Sequence, residues 1–195
     1  KWFSEFPTKL LGVSGDAKTV KGEQYGVLTA IFYGSPAETS GVNMCAMYAI
    51  AGCGPACLNT AGRGAMSSTQ MSRLRKTLFM LQFWDDFKAM LLREIERHAK
   101  YCRKRGLKCA VRLNGTTDIR WELKIWDDMV FFNRMYEVYF YDYTKIANRL
   151  VPDSSVYDLT FSYSGVEKYQ KYVDTARAMG MRMAVVFRYR TQIPK

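Results

Sequence analysis

Histidine is nearly absent from this sequence: His98 stands alone among 195 residues. With one imidazole, and that one on an apolar helix stripe, a Ser–His–Asp or Cys–His triad is poorly supported. A tetrahedral zinc site built on cysteines would also lack an obvious fourth ligand, and His98 reads as a packed core residue. Long apolar runs are missing as well. None approaches the ~20 residues that a membrane-spanning helix needs, so a soluble protein with no membrane partner is expected. The first seven residues, Lys1-Trp2-Phe3-Ser4-Glu5-Phe6-Pro7, carry no apolar core or cleavage pattern of a secretory signal. No internal repeat, low-complexity tract or long linker is visible. Nothing matches an RNA-recognition, zinc-finger or helix-turn-helix pattern.

What is present fits a single β/α domain over residues 1–195. Hydrophobic residues make up 48% and aromatics 14%, enough for a sizeable core. The five cysteines are an odd number in a chain too large to need disulfide staples. Both facts point to a reducing compartment, the cytoplasm, and to metal or core roles for the thiols. The 29 basic and 18 acidic side chains leave a formal charge of +11. Such a field favours an anionic partner, namely nucleic acid, nucleotide or phosphate, although it serves simple solubility equally well.

Strand and helix patterns alternate. Residues 25–34 read as a buried strand closed by Gly34-Ser35-Pro36. A long loop over about 35–66 follows, rich in Gly, Ala, Ser and Cys, and loops of that length in compact domains are usually functional. Ser67 or Ser68 is the expected cap of a helix running through Met71, Leu74, Leu78 and Leu81. A second helix spans about 84–105. Its apolar stripe is Trp84, Phe87, Leu91, Ile95, His98 and Cys102, and Gly106 stops it. Its other face carries Lys88, Arg93, Arg97, Lys100, Arg103 and Lys104, a solvated surface or a track for a phosphate backbone. Four further strands are expected at 109–114, 138–142, 157–162 and 183–188, with helices at about 124–136 and 166–180. Near-continuous apolar strands alternating with helices mean a parallel sheet, here a partial or open β/α barrel. A doubly wound sheet is the alternative, because strand order is not readable.

The chemistry gathers at one edge of that sheet. Cys45, Cys53 and Cys57 lie in the loop after the first strand, with Gly52 and Gly54 beside the middle cysteine and Pro55 before the last. Soft thiolates select zinc, copper(I) or iron–sulfur clusters. Three of them with a free fourth position fit a 4Fe–4S cluster better than a zinc ion; three buried small apolar side chains are the plainer reading. Cys102 and Cys109 read as structural. Asn114, Asp142, Ser162, Ser164 and Arg188 fall at or just beyond strand C-termini, the binding edge of parallel folds. The segment from Arg112 to Glu122, with Asp118 within it, is dense in hydrogen-bonding groups. Either it positions a polar ligand or it is a capped turn. Along 141–144, Tyr141 and Tyr143 share one side of a strand and Asp142 and Thr144 the other. Lys145 is a general acid, an anion contact or a helix-start residue. The 59–64 segment, Asn59-Thr-Ala-Gly62-Arg63-Gly64, is a phosphate or carboxylate cradle or a flexible turn.

These motifs carry a resemblance. Asn43-Met-Cys45 through Cys57-Leu-Asn-Thr-Ala-Gly-Arg-Gly64, together with the segments 112–122, 141–145, 159–162 and 184–188, resembles a largely uncharacterised family of small bacteriophage proteins with a three-cysteine motif. That family in turn looks like a distant relative of radical S-adenosylmethionine (SAM) enzymes. The resemblance implies a radical-SAM-like partial barrel with Cys45, Cys53 and Cys57 as ligands of a 4Fe–4S cluster and SAM on the free iron. It implies Asn114, Asp118, Ser162 and Arg188 around cofactor or substrate, and Asp142 and Lys145 as reacting groups. The reaction would be reductive cleavage of SAM to a carbon radical, acting on a nucleotide or nucleic-acid-related substrate in the host cytoplasm. The cysteine spacing, seven residues then three, departs from the three then two common among radical-SAM enzymes. The alternative is a non-enzymatic protein that binds nucleic acid or a host protein, its cysteine loop structural or zinc-bound.

Overall fold

Apolar runs closed by glycine or proline become the strands of one sheet in the computed structural model, which describes residues 6–13, 17–54, 57, 59–60, 62–187, 189, 191 and 193. The strands are β1 (Leu11–Val13), β2 (Val27–Phe32), β3 (Lys108–Arg112), β4 (Val138–Thr144), β5 (Tyr157–Ser162) and β6 (Met183–Ala184). The helices are α1 (Ala17–Gln24), α2 (Ser67–Gln82), α3 (Trp84–Lys104), α4 (Trp126–Tyr136) and α5 (Gln170–Ala178). Among the described residues, no helix is long and apolar enough to cross a membrane.

The sheet order is β1-β2-β3-β4-β5-β6, with β1 antiparallel to β2 and every other pair parallel. A doubly wound sheet reverses its strand order at a switch point, and this one does not reverse. The doubly wound alternative therefore falls. The mostly parallel sheet stands, with β1 and β6 as its edges among the described residues. Consecutive parallel strands joined by right-handed crossovers place their helices on one face. Leu28, Ala30 and Phe32 of β2, Val111 of β3, and Val138 and Phe140 of β4 meet α2, α3 and α4 in the main core. Phe161 of β5 packs with Val173 and Ala176 of α5 in a second cluster that also takes in Ala51 of the cysteine loop.

Helix α3 follows its sequence closely. Phe87, Leu91, Ile95, His98 and Cys102 are buried, with Glu94 and Ala99 beside them. Each fully buried Leu, Ile or Phe here contributes about 1.5–3 kcal/mol. Asp85 and Asp86 in its first turn and Arg103 and Lys104 in its last complement the helix dipole. Gly106, at φ 65°, turns the chain toward β3.

Helix α2 differs from expectation. Ser67 is its first residue rather than its cap, and the preceding Met66 makes no side-chain capping bond. Its buried face is Arg73, Thr77, Phe79 and Met80, while Met71 and Leu81 are exposed. The turn is set by two polar anchors: Thr77 Oγ1 accepts from Ser35 N at 2.8 Å, and Arg73 Nη1 donates to Asn59 Oδ1 at 2.7 Å. Strand β6 covers only Met183–Ala184 of the expected 183–188, and Val186 lies in the open. Strand β1 was not expected. Its backbone is held by the buried Glu94 carboxylate, which accepts from Leu10 N and Leu11 N, each at 2.8 Å.

Candidate functional site

The loop after β2 cannot pair as a strand, so it ties itself down locally. Cys45 N donates to Asn43 Oδ1 at 2.9 Å, Cys53 N to Tyr48 O at 3.1 Å, and Met44 N to Ala37 O at 2.9 Å. Gly52 sits at φ 66°, and a Cβ there would stand 2.9 Å from Val166 Cγ2. Only glycine permits both the left-handed backbone and this close approach to the β5–α5 connection. Ser164 Oγ donates to Ala51 O at 2.8 Å and fastens the same stretch.

The result is a cavity of about 230 Å³ at the C-terminal ends of the parallel strands. Cys45, Cys53 and Cys57 all line it, with Arg112, Asn114, Asp118, Lys145 and Ser162. Two of the thiols already receive backbone N–H groups: Ala37 N donates to Cys45 Sγ at 3.4 Å, and Asn59 N to Cys57 Sγ at 3.5 Å. Burial pushes the Cys45 thiol up to about 11, with the Asp118 carboxylate adding to the effect. Burial also raises Cys53, and the Lys145 ammonium opposes that rise. In both, burial favours the neutral thiol, and a cation at the site would favour the thiolate.

The polar residues divide into those that face this cavity and those that build it. Lys145 faces it. Its ammonium donates to Ser162 O at 2.8 Å and Tyr163 O at 2.9 Å, which aims a fixed charge toward Cys53, and burial lowers its pKa. Asp118 accepts from Lys145 N at 2.7 Å and from Arg149 Nη1 at 3.0 Å. Asn114 is 2% exposed. Its Oδ1 accepts from Thr117 Oγ1, Ile119 N and Trp121 Nε1, so it shapes the 114–121 turn from within. Ser162 contributes its carbonyl. Arg188 lies outside the described residues.

Asp142 is placed elsewhere. Strand parity puts it with Val138, Phe140 and Thr144 on the helix-covered face of β4, whereas Tyr139 and Tyr143 are exposed. Its carboxylate accepts from Leu113 N at 3.2 Å, Asn114 N at 2.9 Å and Tyr157 Oη at 2.9 Å. Arg112 Nε stands 3.5 Å away without making a hydrogen bond. The expected reacting group is thus absent from the cavity lining, and its oxygens are engaged in joining β3 to β5.

Arg149, missed in the sequence, is the keystone under the site. It is 2% exposed and pairs with Asp118 at 3.0 Å and Glu122 at 2.7 Å, while Nη2 also donates to Tyr157 Oη at 3.0 Å. The only sequence signal was a cation in an otherwise unremarkable 145–153 loop.

A second cysteine group was also missed. Among the described residues, the ligand atoms of His98, Cys102 and Cys109 form the one His/Cys/Asp/Glu group lying within 4.8 Å of one another. Both cysteines are buried, as their structural reading expects, and with His98 they also make a group of a size that could hold a metal ion. The i, i+4 spacing of His98 and Cys102 was the available signal; that Cys109 returns beside them depends on the turn at Gly106. Cys45, Cys53 and Cys57 do not form such a group, so at least one pair of their sulfurs lies beyond 4.8 Å. Of the basic face on α3, Lys100 pairs with Glu96 at 2.7 Å, and Arg103 Nη2 donates to Met135 O. Neither lines the thiol cavity.

No curated protein and no solved structure matches the chain, so the likeness to radical-SAM enzymes finds no counterpart there. One family model does match, described as Gene product 88, and it covers residues 9–195. Those residues include every cysteine and every strand of the sheet, and the chain belongs to the Gene product 88 family, of bacteriophage type.

Proposed function

We propose that Cys45, Cys53 and Cys57 hold a 4Fe–4S cluster, and that the protein is a radical-SAM-like enzyme acting on a nucleotide or nucleic-acid-related substrate. The observation that carries this reading is the shared cavity: three thiols from one loop meet Arg112, Asn114, Asp118, Lys145 and Ser162 at the binding edge of a parallel sheet. The donor set suits the cluster. A single zinc ion holds thiolates about 3.8 Å apart at Zn–S distances of 2.3 Å. A polynuclear centre lets each thiolate take a different iron, so its three ligands need not converge on one ion. Backbone N–H groups directed at Cys45 and Cys57 stabilise thiolate charge.

When bound, such a cluster supplies an electron and one iron open to the amino and carboxylate groups of SAM. The chain's own residues do the rest. Lys145 and Arg112 present positive charge to an anionic ligand. Asp118, held by Arg149, is an acceptor for a ligand amine or hydroxyl. The cavity, at about 230 Å³, is smaller than the roughly 300 Å³ of ordinary ligand pockets. It therefore takes the cluster and one polar end of a ligand rather than a whole nucleotide. The charge of +11 favours an anionic substrate.

The test is anaerobic reconstitution with iron and sulfide followed by reduction in the presence of SAM. The proposal expects a brown protein that releases 5′-deoxyadenosine and methionine. A brown protein that leaves SAM intact removes the enzyme reading and keeps the cluster. A colourless protein removes both.

A further inference from the structure

We propose that His98, Cys102 and Cys109 form a second metal site, independent of the cysteine loop, that binds one zinc ion between the end of α3 and the start of β3. The three side chains are 6%, 1% and 4% exposed. Their ligand atoms lie within 4.8 Å of one another, and contraction by about 1 Å gives the spacing of a tetrahedral ion. The chain geometry brings them together. His98 and Cys102 are one turn apart on α3, and Leu107 N donates to Cys102 O at 2.9 Å as the chain turns into β3. Cys109 then pairs in register with Leu28 of β2.

A backbone carbonyl is placed to accept from the imidazole. Leu28 O lies 3.2 Å from His98 Nε2. Cys102 Sγ lies 3.7 Å from Nε2 and 4.0 Å from Nδ1, so an Nε2–H kept on Leu28 O leaves Nδ1 as the ligand once the ring shifts toward the two thiols. Charge selects the ion. Two thiols that each lose a proton to solvent on binding, with a neutral imidazole and Zn²⁺, make a centre of zero net charge. A monovalent soft ion with the same donors would leave a buried negative charge, which is costly among apolar side chains. The fourth position has access to solvent. His98 lines a cavity of about 680 Å³ between α3 and strands β1 and β2, and Cys102 and Cys109 line another of about 420 Å³ near Tyr136 and Tyr139. A water from either side completes the tetrahedron.

The experiment uses the full chain with Cys45, Cys53 and Cys57 all changed to Ser, so that the loop contributes no thiolate. After loading with zinc and dialysis against metal-free buffer, this protein is expected to retain about one zinc per chain. Adding Cys109→Ser should weaken binding by at least about tenfold. Cobalt(II) in place of zinc should give intense thiolate-to-metal bands and the visible bands of a tetrahedral ion in the loop-free protein. Retention of no zinc and absence of those cobalt bands would overturn the site. So would zinc retained undiminished after Cys109→Ser. Should that variant fail to fold, the cobalt spectrum of the folded loop-free protein decides alone.

Discussion

Asp142 shows how one residue's surroundings set its duty. Burial pushes its carboxyl up to about 6, against the pull of the Arg112 guanidinium. A carboxyl raised in the folded state contributes stability below the ordinary range near 3.8, and that contribution is lost as pH rises through about 6. The stability of the wild type relative to Asp142→Asn should therefore fall across pH 4–6, by about 3 kcal/mol at most. Urea denaturation of both proteins over that range measures it; parallel profiles would show that Asp142 titrates normally. Asp142→Ala should cost about 2–3 kcal/mol near pH 4 and less as pH rises toward 6, because Leu113 N, Asn114 N and Tyr157 Oη lose their acceptor. Gly52 offers a contrasting case, since its importance lies in what it lacks. Gly52→Ala should cost about 1–3 kcal/mol and reduce iron loading, as its Cβ would push Val166 and displace Cys53. Thermal melts with iron analysis test this, and unchanged values for both would refute it.

At the scale of elements, the turn between β3 and α4 and the connection after β4 are joined by Arg149. Its guanidinium bridges Asp118, Glu122 and Tyr157. Arg149→Met should destabilise the protein by about 3–5 kcal/mol, because two buried carboxylates lose their cation. An unfolding midpoint unchanged by the substitution would contradict that role. The element boundaries show what a sequence can and cannot reveal. Helix α3 was legible because its period of 3.6 runs uninterrupted from Phe87 to Cys102, and β4 and β5 because their apolar residues sit in short closed runs. The buried face of α2 was not legible, because Arg73 and Thr77 are buried by long-range bonds to Asn59 and Ser35. Strand β1 is three residues long, too short to show alternation, and its anchor, Glu94, lies 83 residues away.

Across the whole molecule, the sheet's consecutive order gathers the ends of β2 to β5 at one edge, and this is why distant segments meet around the cysteine loop. That edge was readable from strand periodicity and the position of polar residues. Which of those residues enter the cavity was not, because Tyr143, Thr144 and Lys145 at the end of β4 line it from either face, while Asp142 lies deeper and is taken up by Leu113 N, Asn114 N and Tyr157 Oη. The same order also places a second cysteine pair, Cys102 and Cys109, by His98. Two thiol-rich centres in one small domain would differ in hardness of access: the loop trio opens on a strand-edge cavity, and the α3–β3 trio lies in the core. The central claim concerns the loop trio. Its most direct measurement is iron and acid-labile sulfide per chain, determined anaerobically on the wild type and on Cys53→Ser. The account predicts about four of each in the wild type and a clear loss in the variant. A wild type without sulfide, or a variant that keeps the full complement, would contradict it.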